Sequence, residues 1–341
     1  MKKILLAARR ILFVFLVVCI IANMSLIFER KSIYTQWNYT AKVEGYANEP
    51  KDSVDVIGVG SSHMYCTVNP VHIYEQTGAE YYVLATQQQP VEATYYYVKD
   101  ALERQPADVV IIEAFMYFKA DTPVAEGVAH DAVDPFPDNF NKLKMISALD
   151  VEDEKANYYF SFLKYHSRWK SLNKKDFLRA YENKTDPYHG FVFLTKAKKN
   201  KCKSVTYDGV KEKPLADGKL EYFKKTVELV REMGASPMVL ISPYSNAKKN
   251  LGKIVFISNL CEEMDVPFLD MNVEFDNTGI DNMTDFFDPG HLNVYGSEKA
   301  SLYIAEFVEK NFELTPGDTD TDELWQKDIA YYNNAKTKAK K

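Results

Sequence analysis

Short apolar runs along this chain alternate with stretches whose apolar residues return every three or four positions. This is the pattern of buried strands covered by amphipathic helices. Val54 to Val59 reads as a first strand, apolar at nearly every position. Asn69-Pro70 predicts a helix start, with Asn69 as N-cap and Pro70 in the first turn, running to about Gly78. Tyr81 to Ala85 predicts a second strand, Pro90 to Arg104 a helix, and Asp108 to Ala114 a third strand. The rhythm returns later, where Leu220, Phe223, Val227, Val230 and Met233 recur at helical spacing before a strand over Pro237 to Ser242. A helix over Asn246 to Met264, a strand over Val266 to Asp270 and a closing helix over Tyr295 to Asn311 complete the set. Such alternation implies a parallel sheet with right-handed crossovers, in which ligands lie at the carboxyl ends of the strands.

About 120 residues separate the third and fourth strands, whereas a crossover needs about 10 to 15. An insertion is therefore expected there, forming a cap over about residues 119–215. Helices are predicted over 139–149 and 153–170, and Asp186-Pro187-Tyr188-His189-Gly190 predicts a turn. The aromatic cluster Tyr158-Tyr159-Phe160 with Tyr165 reads first as helix core and second as a surface for stacking on sugars. Residues 29–52, with Gly45 and Asn48-Glu49-Pro50, read as a linker. Residues 315–341 read as a loose polar tail.

The amino terminus decides the compartment. Ile11 to Phe28 is an 18-residue stretch whose only polar members are Asn23 and Ser25, close to the ~20 residues a membrane-crossing helix needs. Lys2, Lys3, Arg9 and Arg10 precede it, so the positive-inside tendency keeps segment 1–10 in the cytoplasm and puts the rest outside. Ala22-Asn23-Met24 ends in a bulky residue and makes a poor cleavage site, which favours an uncleaved anchor at 11–28 over a signal peptide. Val18 before Cys19 argues against lipidation.

Composition adds constraints. The chain has 341 residues, 46% hydrophobic and 26% charged, with a net charge of -6 and one short lysine-rich run from Lys196 to Lys203. That balance speaks against nucleic-acid binding. Outside the apolar segment only Cys66, Cys202 and Cys261 remain, an odd number that reads as buried thiols.

Candidate chemistry sits at two places. The first strand runs into Gly58-Val59-Gly60-Ser61-Ser62-His63, which delivers a hydroxyl to the carboxyl edge of the sheet beside a helix start. A serine there needs an adjacent base, and backbone N–H groups near the helix start can hold an oxyanion. Far along the chain, Asp285-Phe286-Phe287-Asp288-Pro289-Gly290-His291-Leu292-Asn293 can set the Asp288 carboxylate against one ring nitrogen of His291 and leave the other for a nucleophile. Taken singly, the first motif also reads as an ordinary turn and the second as a helix cap.

Together, from about Val54 to Asn311, they resemble the SGNH, or GDSL-type, hydrolase superfamily. Gly60-Ser61-Ser62 stands where that family has Gly-Asp-Ser, which makes Ser62 the matched nucleophile, and Asp288 and His291 match its closing Asp-x-x-His. His291-Leu292-Asn293 followed by Tyr295-Gly296, and Gln89-Pro90 after the second strand, resemble a membrane-anchored bacterial branch associated with surface-polymer acylation. The expected fold is α/β, a flavodoxin-like three-layer sandwich over 53–314. The resemblance implies oxyanion donors from a glycine after strand two and an asparagine after strand three. Here those places read Ala85-Thr86-Gln87-Gln88-Gln89 and Glu113-Ala114-Phe115-Met116. Gly60, Gln87 and Gln88 are the substitute candidates, and His63, Glu113 and Asn293 are further residues expected near substrate. His72 lies near the proposed site in sequence.

The expected function is extracytoplasmic acyl transfer or ester hydrolysis on an acylated cell-surface polymer or glycan, without a cofactor. A membrane-bound O-acyltransferase is the partner the resemblance implies. Two other readings stay open: a non-catalytic member that binds polymer or docks such an enzyme, and a metal-dependent hydrolase using His63, Asp285, Asp288 and His291.

Overall fold

A computed structural model of the chain describes residues 2–29, 40–179, 184–315, 317 and 319–339. Helix α1 (Lys2–Phe28) runs without a break through the basic segment and the apolar run. Within Lys3–Phe28 an 18-residue window has a mean hydropathy of 2.9 and is only 6% buried, so this is one helix long and apolar enough to span a membrane. Arg168 closes its end, donating to the carbonyls of Phe28 at 2.6 Å and Glu29 at 2.5 Å. A cation is favoured there by the orphan carbonyls of a helix C-terminus.

The linker expected over 29–52 requires correction: residues 30–39 lie outside the described residues, but α2 (Ala41–Asn48) is a helix with Lys42, Val43, Gly45 and Tyr46 buried. Its polar composition hid a single packed face. Tyr46 stacks edge-on against Tyr82 at 5.1 Å, and the Tyr82 hydroxyl donates to the Lys42 carbonyl at 2.8 Å.

The first half of the domain follows the predicted rhythm: β1 (Val56–Gly60), α3 (Ser62–Thr67), α4 (Pro70–Thr77), β2 (Tyr81–Ala85), α5 (Val91–Arg104) and β3 (Val109–Glu113). Asn69 caps α4 as its sequence suggests, accepting from the His72 N–H at 3.2 Å, and Gly78 ends that helix in the left-handed region. The β3 to β4 connection carries α6 (Glu126–Val133), α7 (Phe140–Ala148), α8 (Ala156–Tyr159), α9 (Ser161–Tyr165), α10 (Lys174–Arg179) and α11 (Asp217–Glu232). The continuous helix expected over 153–170 is broken, because Phe160 leaves helical geometry at φ -130 and ψ 78 between α8 and α9. Three successive aromatics are weak helix formers. Phe162, just past the break, packs edge-on against Phe28 of α1 at 5.5 Å.

The chain then forms β4 (Ser236–Ile241), α12 (Leu251–Glu263), β5 (Phe268–Asp270), the short hairpin strands β6 (Phe286–Asp288) and β7 (His291–Leu292), α13 (Val294–Asn311) and α14 (Asp322–Ala339). Five parallel strands run in the order β2-β1-β3-β4-β5. Their residues alternate between two buried clusters. Ile57, Tyr82, Val110 and Val239 meet Val98 of α5 and Val227 of α11 on one side, while Val56, Val83, Ile111 and Leu240 meet Ile304 of α13 on the other. This period of two accounts for the unbroken apolar runs, since both faces are covered.

The carboxy-terminal tail is also corrected. Most of it is α14, docked through Trp325, Asp328 and Tyr332, all buried. The Trp325 ring lies between His189 at 3.8 Å and Tyr74 at 4.4 Å, while the Asp328 carboxylate meets His189 Nε2 at 3.1 Å. Trp325, Ile329 and Tyr332 are its packed aromatic and aliphatic face, spaced i, i+4, i+7 within a charged stretch that reads as polar overall. His189 belongs to the expected 186–190 turn. That turn packs on β2 so closely that a Cβ on Gly190, at φ +88, would lie 1.9 Å from the Val83 carbonyl oxygen.

Candidate functional site

β1 and β3 run side by side, and the chain leaves them in opposite directions, to β2 and to β4. A crevice opens at the carboxyl ends of strands where such a reversal occurs. Gly60 ends β1 there and Glu113 ends β3. The two strands approach so closely that a Cβ on Gly60, at φ +145, would fall 2.7 Å from the Glu113 Cβ.

Ser61 is extended and caps α3, its hydroxyl accepting from the His63 N–H at 3.3 Å. Ser62 is therefore the first residue of α3, and its backbone N–H, with no carbonyl a turn behind it, is one of the helix's orphan donors. Ser62 is buried at 8% exposure. Its Oγ lies 2.8 Å from His291 Nε2. On the other side of the ring, His291 Nδ1 lies 2.9 Å and 3.0 Å from the two oxygens of Asp288. The Asp288 carboxylate also accepts from the backbone N–H groups of Gly290 at 2.8 Å and His291 at 3.1 Å. Burial pushes the Asp288 carboxyl up, but the hydrogen bond and charge of His291 and those two N–H groups outweigh it and hold the carboxyl below the usual aspartate range.

The β6–β7 hairpin delivers this pair. Its turn at Pro289-Gly290 is fixed from outside, since the Ser245 N–H and hydroxyl both donate to the Pro289 carbonyl, at 3.0 Å and 2.9 Å. Asn293 then starts α13, accepting from the N–H groups of Tyr295 at 3.0 Å and Gly296 at 3.2 Å and donating to the Thr284 carbonyl at 2.6 Å. Asn293 was expected near substrate. It is instead fully buried in capping, and both ends of its amide are engaged.

Glu113 is fully enclosed. It accepts from the Ser61 hydroxyl at 2.8 Å, from the Ser61 N–H at 3.4 Å and from the Phe115 N–H at 2.7 Å. Burial raises its carboxyl to about 7 against the pull of those bonds. His63 stacks on Phe115 at 3.9 Å and stands 5.3 Å from the His291 ring. Burial first, then neighbouring His291, hold its imidazole well below the ordinary histidine value, so it is neutral. The Gln87-Gln88 segment forms a turn beyond β2, with Gln88 exposed and in the left-handed region at φ 50. Gln89 locks that turn, its side chain accepting from the Thr86 N–H at 3.0 Å and donating to Thr94 at 3.1 Å.

The metal reading for His63, Asp285, Asp288 and His291 loses one member. The Asp285 carboxylate is buried against the Lys299 ammonium at 2.7 Å and the Asp281 N–H at 2.8 Å, on the α13 side of the hairpin. His72 lies 3.6 Å from Glu75 and 3.9 Å from Glu298, in the ion-pair surroundings of α4 and α13.

Residues that the sequence did not single out complete the floor. The Tyr65 hydroxyl faces Ser62 without closing a hydrogen bond, and the ammonium of fully buried Lys42 lies 3.7 Å over the Tyr65 ring. The Thr86 hydroxyl, next to the Gly60↔Ala85 pair, and His63 Nδ1 are also buried without a partner. Only the i, i+3 spacing of Ser62 and Tyr65 on α3 hints at any of this in the sequence. Cys66, Cys202 and Cys261 are buried free thiols, as expected. The chain matches no protein-family model and no curated protein.

Proposed function

We propose that this chain is a membrane-anchored, extracytoplasmic serine esterase or O-acyltransferase of SGNH type, acting on acyl esters of a cell-surface polymer or glycan. The observation that carries it is the continuous relay Ser62–His291–Asp288, assembled from two segments more than two hundred residues apart. The strand order supports a flavodoxin-like three-layer reading, and the long β3 to β4 connection supports a cap. The contact of that connection with α1, through Arg168 and Phe162, fits a cap held near a membrane surface with its substrate polymer outside.

In this reading His291 Nε2 takes the Ser62 proton as Oγ attacks the acyl carbonyl carbon. The oxygen that becomes negative meets the Ser62 N–H and the backbone of the Thr86–Gln88 turn. The imidazolium, held by Asp288, returns its proton to the departing alcohol oxygen, leaving an ester on Ser62. Water or a sugar hydroxyl then gives up its proton to His291 and attacks that ester; the acyl C–Oγ bond breaks, the imidazolium returns the proton to Ser62 Oγ, and the free acid or the acylated sugar departs. His63, neutral beside His291, adds no opposing charge to the imidazolium.

A second reading, a non-catalytic partner of a membrane-bound O-acyltransferase, draws support from Glu113, which stands where the family resemblance implies a side-chain donor region and whose oxygens already accept three hydrogen bonds. Full-length protein in detergent, treated with a fluorophosphonate probe and assayed on a chromogenic acetyl ester, separates the two. Catalysis predicts labelling and turnover that Ser62→Ala abolishes. Equal signals from both proteins, or none from either, favour the partner reading.

A further inference from the structure

The geometry points to a divalent transition-metal site in the β3 to β4 connection, formed by Glu126, His130 and Asp153. One ligand atom from each lies within 4.8 Å of the others. Two bonds of about 2.1 Å to a zinc-like ion span at most about 4.2 Å. A small swing of the flexible Glu126 side chain closes the difference. Glu126 and His130 stand one turn apart on α6, so a single helix face presents both, and Asp153 comes from the segment leading into α8.

His130 supplies the observation that singles this cluster out from an ordinary acidic patch. It is buried at 5% exposure, and its Nε2 has no hydrogen-bond partner. Its Nδ1 lies 2.9 Å from Asp134, so in the neutral ring the proton sits on Nδ1 and the unpartnered Nε2 carries the lone pair available to an ion. Carboxylate–imidazole pairs of this form orient metal-binding histidines. The Asp134 carboxylate is itself held by the Tyr165 hydroxyl, and the imidazole is clamped against the Tyr158 ring at 4.3 Å. Asp153 is steadied by the Tyr158 hydroxyl. The imidazole is thus pre-oriented with its lone pair unused, an arrangement that would otherwise leave a buried acceptor unsatisfied.

One imidazole nitrogen and two carboxylates form a donor set suited to zinc, manganese or iron(II), with remaining positions open to water. The Lys164 ammonium pairs with Glu126 in this structure, so one cation already occupies the outer edge of the site and competes with a metal for that carboxylate. Bound metal would tie α6 to the Asp153 segment and, through Asp134 and Tyr165, to α9 beside the anchor helix. The site lies on elements separate from the Ser62 relay, so its role is to brace that connection.

The test uses full-length, tag-free protein in detergent, titrated calorimetrically with zinc and assayed for metal content after dialysis. One tightly held zinc per chain is expected. Glu126→Gln and Asp153→Asn, at half-exposed positions whose fold circular dichroism checks, should each weaken binding at least about tenfold, and Asp134→Asn about 10- to 100-fold. Lys164→Gln should tighten it, because the competing ammonium is gone. Absence of stoichiometric zinc in the wild type, zinc affinity unchanged in both Glu126→Gln and Asp153→Asn, or binding of calcium and magnesium but not zinc would each overturn the assignment.

Discussion

The Ser61 hydroxyl donates to the Glu113 carboxylate at 2.8 Å, one residue before the hydroxyl that meets His291. Two adjacent serines are thereby given different work: Ser61 ties the end of β1 to the end of β3, and Ser62 is left to the imidazole. Because Glu113 is enclosed and raised to about 7, against an ordinary value of 4.5, it keeps a proton in the folded state that the unfolded chain has already released. Its contribution to stability is fully present below about pH 4.5 and is lost as pH rises through about 7. Glu113→Gln removes that dependence. Urea unfolding at pH 5, 6 and 7 should show the stability difference between wild type and Glu113→Gln shifting by up to about 1.4 kcal/mol per pH unit, in favour of the variant as pH rises. Parallel profiles would mean that Glu113 is not protonated in the native state.

Asp288 fixes the tautomer of His291, and its two backbone N–H contacts keep the turn in place without the relay. Asp288→Asn should therefore leave the melting temperature nearly unchanged while lowering kcat on an acetyl ester by roughly 10³- to 10⁴-fold, with little change in KM. Ser62→Ala should lose at least about a thousandfold. Steady-state kinetics beside thermal unfolding checks both, and a kcat loss matched by a collapse in melting temperature would reassign Asp288 to structure.

Buried Lys42 gives a stability change of the opposite sign. Burial lowers its ammonium from 10.5 to about 7, so between those values the unfolded chain binds a proton that the folded chain does not. Stability rises with pH across that window. Lys42→Met, similar in length and free of charge, should stabilise the protein more at pH 7 than at pH 9.5. Thermal unfolding at the two values is the measurement, and an equal change at both would show that Lys42 stays charged in the fold.

His189 joins α2, the 186–190 turn and α14 through Glu49 at 3.6 Å and Asp328 at 3.1 Å. Burial alone would lower its imidazole, but Glu49 and Asp328 outweigh that and raise it, while burial lifts Glu49 to about 7. Both groups have raised folded-state values, so both contribute stability at mildly acidic pH that is lost as pH climbs past neutrality. His189→Gln should lower the melting temperature more at pH 6 than at pH 8, and should make α14 more sensitive to limited proteolysis. An equal loss at both pH values would place the effect in Trp325 packing alone.

The strands and main helices of the domain were legible from the chain because each is decided locally. A strand covered on both faces must be apolar throughout, and Asn69-Pro70 caps a helix by its own side chain and ring. Ser62, Asp288 and His291 were legible as residue types in telling spacing. α2, α14 and the assignment of Asn293 to capping were not, because each depends on what arrives from elsewhere: Tyr82 beneath Tyr46, His189 beneath Trp325, and the Thr284 carbonyl at the Asn293 amide.

By itself, then, the sequence determined an apolar amino-terminal helix, a β/α alternation and the residue types for a serine, histidine and aspartate relay. Only the tertiary structure decided that His291 Nε2 reaches Ser62 Oγ, that Asp285 turns to Lys299, and that the His130 ring, with one unpartnered nitrogen, comes together with Glu126 and Asp153. Periodicity and capping act within a few residues, whereas hydrogen bonds between distant segments depend on packing of the whole sheet, which places β7 and α6 at their partners.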